Sequence, residues 1–395
     1  MQTVLLAAGE GTRMRPLTSA VPKPMLPVAG SPLLEHTIEA AIDAGASRIV
    51  LVIGYEGDTI VEHFGDRYRS TQIEYARQTE QRGTAHAVES AIESLEEGPF
   101  AVLNGDALYD PGSLSRLFEA GPAIGSFRVD NPGDYGVLEL DDDVLHDVRE
   151  KPQDPSSDLI NAGAYVFPEA ARSWLDVETS SRGERELTDV LERAIERTTI
   201  RAVQFDRWLD VGRPFELLEA NEWKLGELDR RIDGDVHESA EIRGDVVIEP
   251  GAEVRSGVVI SGPVRVKSGA SVGPNAYVRG ATLLESDVHV GHAVEIKNSV
   301  LMSGTNVGHL SYVGDSVIGQ ESNFGAGTTV ANLRHDGDDV TMTSKGDRVS
   351  TGRRKFGVVC GPGVKTGINT SLNAGVTLPE GGTTAPGETV LTDPD

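Results

Sequence analysis

From Val236 onward an apolar residue occupies every sixth position for twelve consecutive steps: Val236, Ile242, Ile248, Val254, Ile260, Val266, Val272, Val278, Leu284, Val290, Ile296 and Met302. With 38% of residues apolar, such a run has a chance probability on the order of 10⁻⁵ in any one register, so the period is real. Positions two earlier (Ala240, Val246, Ala252, Val258, Val264, Ala270, Ala276) are small or β-branched, and glycine fills many turns. A six-residue period predicts a parallel β-helix, each coil needing a neighbour to bury its apolar edge. The series ends after Met302, because position 308 is glycine, and resumes one position early at Val307 and Val313. It then shifts again to Ile318, Phe324 and Val330. His309 is therefore expected at the slip. Between 334 and 356 the repeat is lost, and DDVTMTSKGDRVST reads as an inserted hairpin with a Lys-Gly-Asp turn; GVKTGINTSLNAGVTLPEGG then restores the coil pattern.

Residues 1–225 follow another rhythm. Apolar runs (QTVLLAAG, SRIVLVIG, QIEYA, FAVLNGD) alternate with helical patterns such as LLEHTIEAAIDAG and TAHAVESAIESLEE. That succession predicts a mainly parallel sheet with helices on both faces. Ligands of such sheets lie beyond the carboxyl ends of the strands, where the 9–13 turn and Asp106 both fall. The polar stretch 226–235 (GELDRRIDGD) reads as a linker to a second domain at 236–395.

Composition narrows the functions. The formal net charge is -26, from 62 acidic and 36 basic residues, only 8 of them lysine. Such a surface suits a salt-rich cytoplasm, as in a halophile, and repels nucleic acid and anionic lipid, so any phosphate site must be a local basic pocket. One cysteine, Cys360, excludes an internal disulfide or a multi-cysteine metal site. No apolar run is long enough to span a membrane, and the N-terminus enters a strand-like run at once, so a cytoplasmic location is expected.

The turn Gly9-Glu10-Gly11-Thr12-Arg13 is neither a Walker A loop nor a dinucleotide fingerprint. Its glycines still let backbone N–H groups approach phosphates, and Arg13 and Lys23 add positive charge. Taken singly, an Asp after a strand is more often a helix cap than a metal ligand, and Glu150-Lys151 is more often a solvated pair. Their order along the chain changes the weighing. LAAGEGTRMRPLT followed by KPMLPVAG resembles the signature of sugar-1-phosphate nucleotidylyltransferases. QRGTA (81–85), NGD (104–106), DYG (134–136), EKP (150–152), NAG (161–163) and WLDVG (208–212) appear in the same order. The resemblance implies an α/β, Rossmann-like nucleotidyltransferase domain with Asp106 and Asp210 on Mg²⁺, Arg13 against the departing pyrophosphate and Lys23 against the α-phosphate. Leu6, Ala8, Gly9, Gly11, Thr12, Gln78, Gln81, Gly83 and Thr84 would hold the nucleotide, and Gly136, Glu150, Lys151 and Asn161 the sugar phosphate. Glu186 and Asp189, in RELTDVL, read as helix-start residues.

For the β-helix, a trimerisation scaffold and an acyltransferase are both open. A lone His in an apolar repeat is more often a packed spacer than a catalyst. Yet VRGATLLESDVHVGHAVEIKN, GHLSYVGD, NFGAGT and ANL resemble, spacing for spacing up to Asn332, part of another family. It is the acetyltransferase half of the bifunctional glucosamine-1-phosphate N-acetyltransferase / N-acetylglucosamine-1-phosphate uridylyltransferases, of archaeal type given the insertion. The implied fold is a left-handed β-helix of hexapeptide repeats in a homotrimer. The resemblance implies acetyl-CoA as co-substrate, His309 as general base, and Arg279, Lys297, Tyr312, Asn323 and Asn332 as substrate-binding residues. Partners are then small molecules: a nucleoside triphosphate, a hexosamine-1-phosphate and acetyl-CoA. The triplet Arg353-Arg354-Lys355 is either a contact for coenzyme A phosphates or a solvated turn. The alternative function is a single nucleotidylyltransferase (UTP or dTTP with glucose-1-phosphate, or GTP with mannose-1-phosphate) on a β-helical scaffold. A non-enzymatic exchange-factor subunit of the same two-domain plan has no need of Arg13, Lys23, Asp106 and Asp210.

Overall fold

The computed structural model describes residues 1–180 and 183–394. By contacts the chain divides into two compact units. One comprises Met1–Glu10, Pro22–Met25 and Pro32–Asp210; the other comprises Gly11–Val21, Leu26–Ser31 and Val211–Asp395.

The first unit is built on a ten-stranded sheet, in the order Gly136–Asp141, Val144–Glu150, Arg201–Gln204, Ala123–Arg128, Leu159–Phe167, Phe100–Asn104, Gln2–Ala7, Arg48–Ile53, Thr71–Arg77 and Arg67–Tyr68. Gln2–Ala7 pairs in parallel with both Arg48–Ile53 and Phe100–Asn104. Its alternate residues enter two cores, Val4 on one face and Leu5 on the other. Helices cover both faces, so the strand reads as a continuous apolar run. The expectation of a mainly parallel sheet needs correction. Gly136–Asp141 and Val144–Glu150 form an antiparallel hairpin, and Leu159–Phe167 runs antiparallel to both of its main neighbours. Only two residues, Asp142 and Asp143, join the strands of that hairpin, and so short a turn can only reverse the chain.

The second unit stacks its strands into three parallel sheets. The first runs from Arg231–Ile232 to Thr377–Leu378, the second from Asp235–Val236 to Lys365–Thr366, and the third from Glu241–Arg243 to Thr389–Val390. Each coil but the last gives one strand to each sheet, consistent with the left-handed β-helix expected. The inward positions form one core, with Val254, Ile260, Val266, Val272, Val278 and Leu284 at most 1% exposed. Burial of each such side chain contributes about 2 kcal/mol. The first rung, Arg231–Ile232 beside Val247–Ile248, lies within the stretch read as linker.

The slip in the repeat is real but sits elsewhere. Val266 stacks on Leu284, and Leu284 on Leu301, not Met302. The coil shortens between Ile296 and Leu301, and again between Val313 and Ile318. Both shortenings fall at the corner from the third sheet to the first. The insertion leaves from this same corner after Val330, and its strands Thr341–Ser344 and Asp347–Ser350 form the expected hairpin. Met302, apolar and itself buried, mimics a sixth step and hides the true position. His309 lies at another corner, between Val307 and Val313, where the spacing stays at six.

Cys360 stacks on Ile318 and is fully buried, which pushes its thiol well above its ordinary range. A disulfide reagent should find no reactive thiol in the native chain and one after unfolding. Titration with and without denaturant checks this, and it leaves a thiol assay of the native protein free of background.

Candidate active sites

In the first unit a cavity of about 270 Å³ opens at the carboxyl edge of the parallel strands. Leu6, Ala8, Gly9, Gln78, Gln81, Gly83 and Thr84 line it, together with Asp106. Gly11 and Thr12 belong to the other unit, as does Arg13, whose guanidinium lies beside Gly212 and Glu216. Gln81 Nε2 donates to the Ala8 carbonyl at 3.2 Å, fixing one amide at the cavity wall. The buried Gln78 amide donates to the Gly83 carbonyl at 3.2 Å. A side chain at Gly9 would meet nothing within 4 Å. Protein packing therefore does not explain this glycine, whereas close approach of a ligand to its backbone would. Asn104, Ala87 and Glu184 also line the cavity; the sequence reading missed them, although Asn104 stood in the NGD motif.

Two carboxylates stand at neighbouring strand ends on this edge. Asp106 follows the strand Phe100–Asn104, and a Cβ on Gly105 would strike the Leu6 carbonyl at 2.7 Å. Only glycine lets the turn pass that close, and Gly105 N–H donates to the same oxygen at 2.9 Å. The helix Leu33–Asp43 holds the next residue through Thr37 Oγ1, which donates to the Ala107 carbonyl at 2.9 Å. Asp210 ends the strand Trp208–Asp210, which pairs antiparallel with Ala107–Tyr109 and sets Asp210 opposite Ala107, one residue from Asp106. The hydroxyl of buried Tyr109 is pushed up, first by burial and then by the negative charge of Asp106, with Asp210 adding to it. Lys23, its side chain 7% exposed, pairs with Asp106 at 2.5 Å. Among the described residues no group of three or more His, Cys, Asp or Glu side chains is arranged for a metal. A two-carboxylate set with room for phosphate oxygens and water suits a hard divalent cation.

The sugar-side candidates also gather. Gly136 is the register partner of Glu150, and a Cβ there would lie 3.1 Å from Glu150 Oε2 and 3.5 Å from Asn161 Cβ. Asn161 is fixed by accepting from Gly163 N–H at 2.9 Å and donating to the Tyr165 hydroxyl at 2.7 Å. Lys151 is more exposed, with Nζ 3.8 Å from Glu150 Oε1. Glu186 and Asp189 start the helix Leu187–Ile195 as read from sequence, Asp189 accepting from Glu186 N–H at 3.3 Å.

On the β-helix the candidates form two groups. Arg279, Lys297 and Tyr312 share the third sheet; Arg279 stacks on Lys297, and Glu295 on Tyr312. Asn332 Nδ2 donates to the Tyr312 hydroxyl at 3.1 Å. A Cβ on Gly314 would sit 2.4 Å from that hydroxyl and 2.8 Å from Asn332 Nδ2, so glycine is what admits the pair. Each cation has a carboxylate: Arg279 Nε lies 2.8 Å from Glu295 Oε1, and Lys297 Nζ 2.5 Å from Asp315 Oδ2. Burial raises the Tyr312 hydroxyl, and Asp315 and Glu295 raise it further.

His309 and Asn323 make the second group. His309 is exposed at the corner between the second and third sheets and lines a cavity of about 440 Å³ with Arg255, His289, His292 and Asn306. Asn323 stacks on Asn306 in the second sheet. Sequence reasoning passed over His289, His292 and Asn306, which repeat on the same coil spacing as His309 and Asn323. Arg353 of the basic triplet is engaged by Glu222, donating to Oε2 at 3.1 Å and also to Oε1.

A family model described as nucleotidyl transferase matches residues 2–225, and one described as the GMPPB C-terminal domain matches 260–381. The chain is 44% identical over 404 residues to a Methanococcus vannielii protein named bifunctional protein GlmU, covering 100% of this chain and 95% of that protein. It is 38% identical over 387 residues to a Sulfurisphaera tokodaii bifunctional sugar-1-phosphate nucleotidylyltransferase/acetyltransferase, covering 96% and 94%. Among solved structures, a UDP-glucose pyrophosphorylase complexed with UDP-glucose is similar with a TM-score of 0.53 and 25% identity, covering 57% of this chain and 98% of that one. The last likeness is confined to about half of the chain, whereas the first two run through both the strand-ending carboxylates and the stacked β-helix cluster. By that full-length match the chain belongs to the GlmU family of bifunctional sugar-1-phosphate nucleotidylyltransferase/acetyltransferases.

Proposed function

We propose that the chain makes UDP-N-acetylglucosamine in two steps. It acetylates glucosamine-1-phosphate with acetyl-CoA, then transfers UMP from UTP to N-acetylglucosamine-1-phosphate and releases pyrophosphate. One observation carries this reading: a single chain holds both the Asp106/Asp210/Lys23 constellation at a glycine-lined cavity and the Arg279/Lys297/Tyr312/Asn332 cluster.

In the nucleotidyl step a sugar-phosphate oxygen attacks the α-phosphorus, a P–O bond forms, and the bond to pyrophosphate breaks. No protein nucleophile is needed, so positioning and charge neutralisation carry the rate. Asp106 and Asp210 would hold the divalent cation, Mg²⁺ in this proposal, which when bound supplies positive charge to the reacting phosphates. Lys23 exchanges its Asp106 partner for the α-phosphate, and Arg13 neutralises the departing pyrophosphate. The fixed amides of Gln78 and Gln81 read the base, with the backbone at Leu6, Ala8, Gly9, Gly11, Thr12, Gly83 and Thr84 lining the nucleotide. Gly136, Glu150, Lys151 and Asn161 hold the sugar phosphate.

In the acetyl step the sugar amine attacks the thioester carbonyl. The C–N bond forms, the C–S bond breaks, His309 accepts the amine proton and coenzyme A leaves as the thiol. Arg279, Lys297 and Tyr312 hold the sugar phosphate, while Asn323 and Asn332 orient the amine and the carbonyl. The two groups lie on different sheets of one β-helix, which supports a homotrimer in which a neighbouring copy completes the site. We place the enzyme in a salt-rich cytoplasm, in keeping with its acidic surface; among the described residues no helix is long and apolar enough to cross a membrane.

Pyrophosphate release across a panel of nucleoside triphosphates and sugar-1-phosphates tests the substrate assignment. UTP with N-acetylglucosamine-1-phosphate should give the highest kcat/KM. A preference for GTP with mannose-1-phosphate, or for dTTP with glucose-1-phosphate, would instead favour the single-activity alternative.

A further inference from the structure

The acetyl-side cluster has a centre that the motif reading passed over. Asp315 is 2% exposed and adopts a left-handed backbone, φ 51°, which Asp tolerates better than most residues. Its carboxylate accepts from Lys297 Nζ at 2.8 and 2.5 Å, from Asn332 Nδ2 at 2.5 Å and from Asn298 Nδ2 at 3.0 Å. Its N–H donates to the Lys297 carbonyl at 2.8 Å. The Asn332 amide also reaches the Tyr312 hydroxyl. Asn298 donates to Glu222 Oε1 at 2.8 Å, and Glu222 takes the two-pronged contact from Arg353 of the insertion. A buried carboxylate is costly unless paired and hydrogen-bonded, and among the described residues every partner of this one but Asn298 is a candidate substrate-binding group.

We propose that Asp315 is the positioning residue of the acetyl-transfer site. It fixes the Lys297 ammonium and the Asn332 amide, and through Asn332 the Tyr312 hydroxyl, into one preorganised receptor for the hexosamine phosphate. Arg353 braces this receptor through Glu222 and Asn298 rather than meeting coenzyme A. The inference rests on the acetyltransferase reading above.

Thiol release by the full chain, with glucosamine-1-phosphate and acetyl-CoA varied separately, tests it. Asp315→Asn is expected to raise KM for glucosamine-1-phosphate about tenfold or more, leaving KM for acetyl-CoA and pyrophosphate release from UTP unchanged. An osmolyte such as sucrose should raise the melting temperature of Asp315→Asn yet leave its sugar-phosphate KM raised. Recovery of that KM along with stability would make the role merely structural and overturn the proposal, as would an unchanged KM in Asp315→Asn. Arg353→Met should raise the same KM; a rise in the acetyl-CoA KM alone would return Arg353 to coenzyme A. If the unaltered chain releases no thiol with any hexosamine-1-phosphate, the acetyltransferase reading falls, and this inference with it.

Discussion

Replacing His309 with alanine is expected to lower thiol release from acetyl-CoA by about 10²- to 10⁴-fold, the usual contribution of a positioned general base. Pyrophosphate release from UTP should be unchanged. The asymmetry follows from where the residue sits. His309 is exposed at a β-helix corner, so truncation leaves no cavity and no unpaired charge, and the melting temperature should hold. The coil core around it is formed by Val307 and Val313, both fully buried and both retained. The two assays run on one preparation check the prediction. Loss of both activities, or a lowered melting temperature, would mean that the imidazole serves the fold.

The second large effect is the mirror image. Asp106→Asn should lower pyrophosphate formation by about 10²- to 10³-fold, the scale on which transition-state charge stabilisation is lost, and spare acetylation. Asparagine is the better probe because Lys23, 7% exposed at its side chain, pairs with this carboxylate. Alanine would leave that largely buried ammonium without its partner and destabilise the fold as well as the site. An amide oxygen still accepts from Lys23 while removing the charge a divalent cation needs. Raising the Mg²⁺ concentration should recover part of the Asp106→Asn rate if the carboxylate is a ligand. A rate that falls without any such recovery would point to Lys23 positioning instead.

How much of this was legible in the sequence differs between the halves. The β-helix was fully announced, because an inward residue every sixth position is a direct record of three strands per coil. The place of the slip was misread, since Met302 is as apolar as Leu301 and a hydropathy count cannot tell them apart. The nucleotidyl edge was legible through glycines whose reasons are steric, such as Gly105 against the Leu6 carbonyl. The antiparallel half of its sheet was not, because strand runs record burial and not direction. Of the residues fixed by motif spacing, Gln81 and Asp106 line the cavity of the first unit. Asp315 and Asn298 escaped because their importance is pairing across coils, and pairing appears only once 297, 315 and 332 are stacked. Arg279 and Lys297, read from sequence as substrate-binding cations, each face a carboxylate one coil away.

The central claim is that one chain carries two transferases. The most direct measurement is thiol release by the purified chain given acetyl-CoA and a panel of hexosamine-1-phosphates, in high salt. Amino-sugar-dependent thiol release, strongest with glucosamine-1-phosphate and from a chain whose own Cys360 stays masked, is the predicted result. No thiol release with any amino sugar, while pyrophosphate release from UTP proceeds, would contradict it and leave the β-helix a scaffold.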